Sequence, residues 1–272
     1  MGEAVKDRAL EIVASRPAGA DGRNLLREYL QSRILGQMQE AGAFIPLAFM
    51  GGTALRFLYR IARFSEDLDF TLERGADGFS FRELLERIDR GLRDEGYETR
   101  VGLSESATVA KSTIGFPGLL AEAGLSAHAE ETLKVKVDVD TNPPLGAGLS
   151  VTTVNRFGPL RLQHHDPPSL FAGKSAAVLA REYTKGRDLY DLMWYLSLQP
   201  RFEPNVELLR NALLQTAPAL ADGAATDWRG ALRRRLAQID WADARRDVQP
   251  FLEQPRDLAL IEPATFEQLL CR

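Results

Sequence analysis

The chain has 272 residues, 44% of them hydrophobic and 26% charged, with a formal net charge of −4. That length builds one large domain or two smaller ones, and the negative balance excludes a protein that coats nucleic acid over its whole surface. The single cysteine, Cys271, excludes a disulfide framework or a thiolate zinc site within the chain.

Residues 1–16 carry scattered charges and no apolar core segment, so a secretory signal is not expected. No apolar run approaches the roughly 20 residues of a membrane span, and a soluble cytoplasmic protein is expected. Residues 24–41 place Leu25, Leu26, Tyr29, Leu30, Ile34, Leu35 and Met38 at helical spacing. An apolar run over 44–50 has strand length and stops at Gly51-Gly52-Thr53, after which Leu55, Phe57, Leu58 and Ile61 predict a short helix. Residues 67–72 alternate polar and apolar, as a strand with one buried face does. A helix is predicted over 81–92, then strands over 97–103, 108–116 and 133–139, the last alternating strictly until Asn142-Pro143-Pro144. Beyond Pro168 the pattern becomes helical: 169–183, 188–198, 206–214, 228–239 and 242–252. The segment 161–168, with its paired histidines and prolines, is the expected joint. The expectation is an α/β (α+β) domain over 1–165, followed by a helical bundle over 166–272, with the active site in the cleft between them.

The chemistry concentrates in two places. A strand that ends in Gly51-Gly52 and opens a helix presents bare backbone N–H groups to an anion, with no Cβ in the way. Asp67 and Asp69, one residue apart on a strand, point to one face while Leu68 and Phe70 point to the other. Paired carboxylates repel unless a cation lies between them, and Mg²⁺ favours one or two carboxylates plus substrate phosphate. Asp138 lies on the alternating strand with Lys134 and Lys136 on its face, and Asp140 is a weaker candidate beside it. If that strand neighbours Asp67 and Asp69, the three carboxylates are expected to hold two Mg²⁺ or Mn²⁺ ions, with Lys136 near the phosphates of a nucleoside triphosphate (NTP). Ser65 either touches the triphosphate or a metal-bound water or makes a strand-entry hydrogen bond, and Thr53 either bonds a phosphate or caps the helix. In the helical half, Lys174 and Lys185 suit phosphate as point charges and Arg181 and Arg187 as bidentate partners. Asp188 and Asp191 share one helix face.

The segments Phe49-Met50-Gly51-Gly52-Thr53-Ala54-Leu55 and Arg63-Phe64-Ser65-Glu66-Asp67-Leu68-Asp69-Phe70 resemble the AbiEii/MenT nucleotidyltransferase toxins. These form a branch of the DNA polymerase β-like superfamily. The resemblance covers roughly residues 44–198. It implies a mixed sheet flanked by helices and metal-dependent transfer of nucleotides from NTP to an acceptor. In a type IV-like toxin–antitoxin system that acceptor is the 3′ end of tRNA, and an antitoxin is the partner. It also implies that Lys174 and an aspartate, Asp188 with Asp191 as the alternate, face the active site. The rival expectations are transfer to a small molecule or a protein hydroxyl, and an inactive domain that binds a nucleotide or a partner.

Two arginine groups are further candidates for nucleic acid: Arg56, Arg60 and Arg63, of which Arg60 reads better as simply solvated, and Arg233-Arg234-Arg235 with Arg245-Arg246. A solvated helix face is the commoner reading of the second group. His164-His165-Asp166 offers too few ligand types for a metal site.

Overall fold

The structure, a computed structural model, describes residues 2–16, 21–73, 78–106 and 108–271. It divides into two compact units. The first comprises Met1–Leu58, Phe64–Asn142 and Val151–His164, and the second Tyr59–Arg63, Pro143–Ser150 and His165–Arg272.

The first unit opens with helices α1 (Gly2–Ala14) and α2 (Gly22–Glu40), then β1 (Leu47–Met50), α3 (Gly51–Tyr59) and β2 (Asp67–Leu72). Next come α4 (Phe81–Asp94), β3 (Arg100–Glu105), β4 (Val109–Pro117), the short α5 (Leu119–Glu122) and β5 (Thr132–Asp140). Strands β6 (Leu149–Asn155) and β7 (Pro159–His165) follow. The seven strands form one mixed sheet in the order β3-β4-β5-β2-β1-β7-β6.

Strand β5 shows why the sheet forms where it does. Leu133, Val135, Val137 and Val139 are buried, while Lys134 and Lys136 are exposed and Asp138 and Asp140 half-buried. A period of two sorts the strand into a core face and an outer face. Helices α2 and α5 lie against β5, and α4 against β3. Helix α2 starts at Asp21, whose carboxylate accepts from the Arg23 and Asn24 amides. It buries Leu26, Leu30, Ile34, Leu35 and Met38. Helix α4 starts at Ser80, whose hydroxyl accepts from the Glu83 amide and leaves Glu83 at the acidic position of a capping box.

A buried ion cluster ties three segments of this unit together. Glu28 on α2 accepts from Arg56 of α3 at 2.7 and 3.2 Å and from Arg156 at 3.0 Å. The Arg56 guanidinium also lies 4.7 Å from the centre of the Phe64 ring.

Several expectations change. Residues 44–46 form a turn, so β1 is shorter than the apolar run, because Pro46 has no N–H for a ladder. Two strands, β6 and β7, occupy the stretch after 148 that had no predicted element. Residues 161–168 hold the end of β7, the cap Asp166 and the start of α6, and the division between the two units falls among them, between His164 and His165. His164 is 1% exposed, with its Nε2 2.9 Å from the Thr152 hydroxyl.

The second unit is helical: α6 (Pro167–Ala180), α7 (Gly186–Ser197), α8 (Val206–Thr216), α9 (Ala221–Thr226), α10 (Trp228–Leu236), α11 (Trp241–Val248) and α12 (Pro263–Cys271). Its core stacks Phe171 on Tyr195 with ring centres 4.8 Å apart, and Trp228 meets Phe171 edge-on at 5.3 Å. Among the described residues no helix is long and apolar enough to cross a membrane.

Glu28→Ala removes the carboxylate shared by the buried Arg56 and the partly exposed Arg156. It is expected to destabilise the protein by about 3–5 kcal/mol, read as a shift of the urea midpoint at constant slope. A loss below about 1 kcal/mol would show that the cluster contributes little.

Candidate functional site

In the first unit the glycine turn and the carboxylates converge through strand pairing. Strand β1 runs antiparallel to β2, with Met50 opposite Asp69. Helix α3 begins at the next residue, Gly51, with φ +77°. A Cβ at Gly51 would lie 2.2 Å from the Asp69 Oδ2, so only glycine lets the helix start approach that carboxylate. Gly52 is buried in the first turn of α3. The fully buried Thr53 donates its hydroxyl to the Asp67 carbonyl, which braces α3 against β2. Ser65 is half-buried, and its carbonyl accepts from the Gln31 side-chain amide at 3.0 Å.

Strand β2 runs parallel to β5 in a register that sets Asp69 beside Asp138, Asp67 beside Lys136 and Thr71 beside Asp140. Asp67, Asp69 and Asp138 therefore share one face, opposite the buried Leu68, Phe70, Val137 and Val139. The Lys136 Nζ lies 4.0 Å from the Asp67 Oδ1. A residue absent from the sequence reading joins this row: Lys111 on β4 is the register partner of Asp138. Its signal was the alternation of β4, but only the antiparallel β4–β5 pairing assigns it to Asp138.

Burial raises the Asp138 carboxyl above its ordinary value, and Asp67 adds to this, while Lys111 and Lys136 act the other way. The Asp138 Oδ1 is buried and accepts no hydrogen bond among the described residues. Burial also raises Asp140, which accepts from the Asn142 amide at 2.9 Å. Among the described residues no three His, Cys, Asp or Glu side chains already stand in coordinating positions. The donor set nonetheless suits Mg²⁺ or Mn²⁺: the ligands are hard oxygens, one is buried and unpaired, and a glycine-lined turn adjoins them. Such ions normally complete their shell with water and substrate phosphate.

The second unit builds its own polar cluster. Arg63, 2% exposed, donates two hydrogen bonds of 2.6 Å to Asp191, which is fully buried. Lys174 on α6 reaches both Asp188 and Asp191 on α7 at 2.9 Å. The Arg181 Nε lies 3.0 Å from the Asp188 Oδ2. Burial lowers the Lys174 ammonium, but Asp188 and Asp191 outweigh it and its pKa ends raised. Burial likewise pushes the Asp188 carboxyl up, but Lys174, Arg181 and Lys185 outweigh it and hold the pKa at about 2. The structure thus separates the two aspartates: Asp191 is enclosed by Arg63, while Asp188 lies between Lys174 and Arg181. Arg187 is drawn elsewhere, with its amide on Asp247 at 3.1 Å and its guanidinium 4.2 Å from the centre of the Phe251 ring.

The arginine groups resolve in the same terms. Arg56 and Arg63 are buried in ion pairs and form no basic patch. Arg233, Arg235 and Arg245 donate to the carbonyls of Leu270, Val178, Arg181 and Ile261, and Arg246 pairs with Asp243. The carbonyl contacts of Arg233, Arg235 and Arg245 join neighbouring segments of the helical unit.

The family model described as nucleotidyl transferase AbiEii toxin, type IV TA system, matches residues 33–270. Two solved structures share the fold. JHP933 from Helicobacter pylori has a TM-score of 0.55 and 17% identity, over 93% of this chain and 94% of that one. MenT4, a nucleotidyltransferase toxin from Mycobacterium tuberculosis, has a TM-score of 0.54 and 19% identity, over 98% of each. Among curated proteins none matches the chain.

Two substitutions check this geometry. Gly51→Ala puts a Cβ into Asp69 and forces alanine to positive φ, so a loss of about 1–3 kcal/mol in chemical denaturation is expected; a neutral effect would mean the turn does not press on Asp69. Asp188→Asn tests the second cluster by pH. Its folded pKa, about 2, is depressed below an unfolded value of about 3.9. The stabilisation is therefore complete above about pH 4 and fades as pH falls through about 2. The stability gap between parent and variant is expected to be widest near neutrality and to narrow in melts taken towards about pH 3. A gap that does not vary with pH would contradict the charge pairing.

Proposed function

The chain belongs to the AbiEii nucleotidyltransferase toxin family of type IV toxin–antitoxin systems, and we propose that it moves a nucleotidyl group from an NTP to the 3′-hydroxyl of a tRNA. The observation that carries this reading is the Asp69–Asp138 register beside the Gly51 turn. The acceptor oxygen forms a bond to the α-phosphorus, the bond from that phosphorus to the bridging oxygen breaks, and pyrophosphate leaves with the electron pair. Asp67, Asp69 and Asp138 would hold divalent cations, Mg²⁺ or Mn²⁺. Such ions, when bound, offset the charge of the triphosphate and acidify the attacking hydroxyl.

The protein's own groups do the rest. The bare amides at the start of α3 cradle phosphate at Gly51 and Gly52. Ser65 meets the triphosphate as it gains charge, and Lys136 and Lys111 stand at the boundary between triphosphate and acceptor. Asp138 takes the acceptor proton at a carboxylate oxygen. In the second unit, Lys174 and Asp188, joined at 2.9 Å, form a fixed ion pair with Arg181 beside it. Extension of the tRNA end would stop its aminoacylation, and an antitoxin would restrain the enzyme in the cytoplasm.

The test is incubation with labelled NTPs, a divalent cation and total RNA, in parallel with protein and small-molecule acceptors. Label is expected at RNA 3′ ends. Asp69→Ala is expected to lower transfer on the order of a thousandfold, the scale of removing a principal electrostatic element of a site, with its circular dichroism unchanged. Label found only in protein or small molecules would sink the tRNA acceptor, and transfer that persists in Asp69→Ala would refute the carboxylate assignment.

A further inference from the structure

The register that sets Asp69 beside Asp138 continues outward across the sheet. Asp138 pairs with Lys111 on β4, which pairs with Ser104 on β3. One row further, Lys136 pairs with Thr113 and Thr113 with Gly102; in the third row Lys134 pairs with Gly115 and Gly115 with Arg100. Paired residues share a face, and alternate residues of one strand share it too. The three rows therefore form one surface, whose reverse side is Val135, Val137, Ile114 and Phe116 in the core.

That surface has a definite chemistry. Lys111, Lys134, Lys136 and Arg100 are all exposed. Between them stand only Gly102, Ser104, Thr113 and Gly115, so nothing bulky rises from the sheet. Asp138, at the inner corner, is the single acid in the three rows. Existing pairs are loose: Lys136 to Asp67 at 4.0 Å and Arg100 to Glu98 at 3.9 Å, with both cation side chains more than 60% exposed. Arg100 is three strand spacings across the sheet and four residues along it from Asp69, roughly 19 Å, and Lys134 is about 13 Å along β5 from Asp138. The cations thus extend well past a triphosphate held at the Gly51 turn.

We propose that this face of β5, β4 and β3 is the track for the single-stranded 3′ end of the RNA acceptor, with phosphates on Arg100, Lys134, Lys136 and Lys111 and the terminal hydroxyl at Asp138. The inference rests on the nucleotidyl-transfer reading and names where its acceptor lies. Charge complementarity selects a polyanion. The absence of any aromatic in the three rows removes the stacking platform that reads or grips bases, so recognition is through phosphate and indifferent to sequence. A protein partner would require apolar or aromatic anchors at the centre of the patch, and the three rows contain none.

The experiment measures the anisotropy of a short fluorescein-labelled single-stranded RNA with a free 3′-hydroxyl, titrated with the full chain over a salt series. Binding of a labelled NTP is measured alongside. For four phosphate contacts the log–log salt slope is expected near −3, at about 0.7 per contact on a single strand. The double variant Arg100→Ala with Lys134→Ala removes two exposed cations far from the carboxylates. It is expected to weaken RNA binding about tenfold and reduce the slope by about 1.4, while NTP binding holds. Arg82→Ala, on α4 and outside the three rows, is the control and is expected to leave both unchanged. RNA affinity and slope unchanged in the double variant would overturn the track. So would a matching fall in NTP binding, which would assign these cations to the nucleotide. Failure of the track is distinct from failure of the transfer reading: in the first case the parent still labels RNA, and in the second it does not.

Discussion

Two carboxylates stand side by side on neighbouring strands, and the structure around them exists to make that tolerable. Asp69 and Asp138 are register partners in a parallel pair, an arrangement in which like charges oppose folding. At a separation of about 5 Å and an effective dielectric constant of about 20, the repulsion is about 3 kcal/mol. The sheet bears it because the same residues' neighbours are Leu68, Phe70, Val137 and Val139, all fully or almost fully buried. The core also enforces the geometry. A slip of one residue in β5 would carry Asp138 into the apolar layer and bring its valines out to water. Hydrophobic burial, which has no direction of its own, thus holds the two carboxylates in a fixed relation.

The second unit handles buried charge differently. Arg63, Lys174 and Arg181 alternate with Asp191 and Asp188 in one chain of contacts. Desolvating such groups costs several kcal/mol each, and their attraction repays it only when the geometry is good. The two 2.6 Å bonds between Arg63 and Asp191 supply that geometry. With Asp191 so enclosed, its role is to fix Lys174, and Asp188 remains the more adjustable partner. Three cations against two carboxylates leave a net positive charge, which suits the cluster to an anionic ligand.

The parts that could be read from the sequence were those with strong local periodicity. The alternation of residues 132–140 and the Asp67–Asp69 pair each carry their own face assignment, and Gly51-Gly52 marks a turn where a side chain cannot fit. Other parts left weaker traces. Strand β6, Leu-Ser-Val-Thr-Thr-Val-Asn, is largely exposed and lacks the apolar alternation of a core strand. In β7, Leu160, Leu162 and His164 do alternate as buried residues, but the paired histidines and prolines that follow suggested a joint. Asp166 before Pro167-Pro168 was in fact a readable helix start, with a capping carboxylate and proline in the first turn. Lys111 belongs to a third kind. Its place beside Asp138 depends on which strands pair and in what register, and that information lies in the long-range packing of the sheet.

Net charge is a poor guide to this molecule because the fold sorts its charges by row. A chain with 38 acidic and 34 basic residues is repelled overall by a polyanion, yet strand pairing gathers Lys111, Lys134, Lys136 and Arg100 on one face. Within a Debye length of about 8 Å at physiological salt, a phosphate at that face responds to those four cations far more than to distant carboxylates. The acids at the inner corner, Asp67, Asp69 and Asp138, are those proposed to be offset by divalent cations and substrate. The same three carboxylates would repel an RNA backbone when the ions are absent. On the proposed reading, acceptor binding and metal binding would be coupled through one electrostatic surface, because cations at the three carboxylates would convert the inner corner of the sheet from repulsive to attractive.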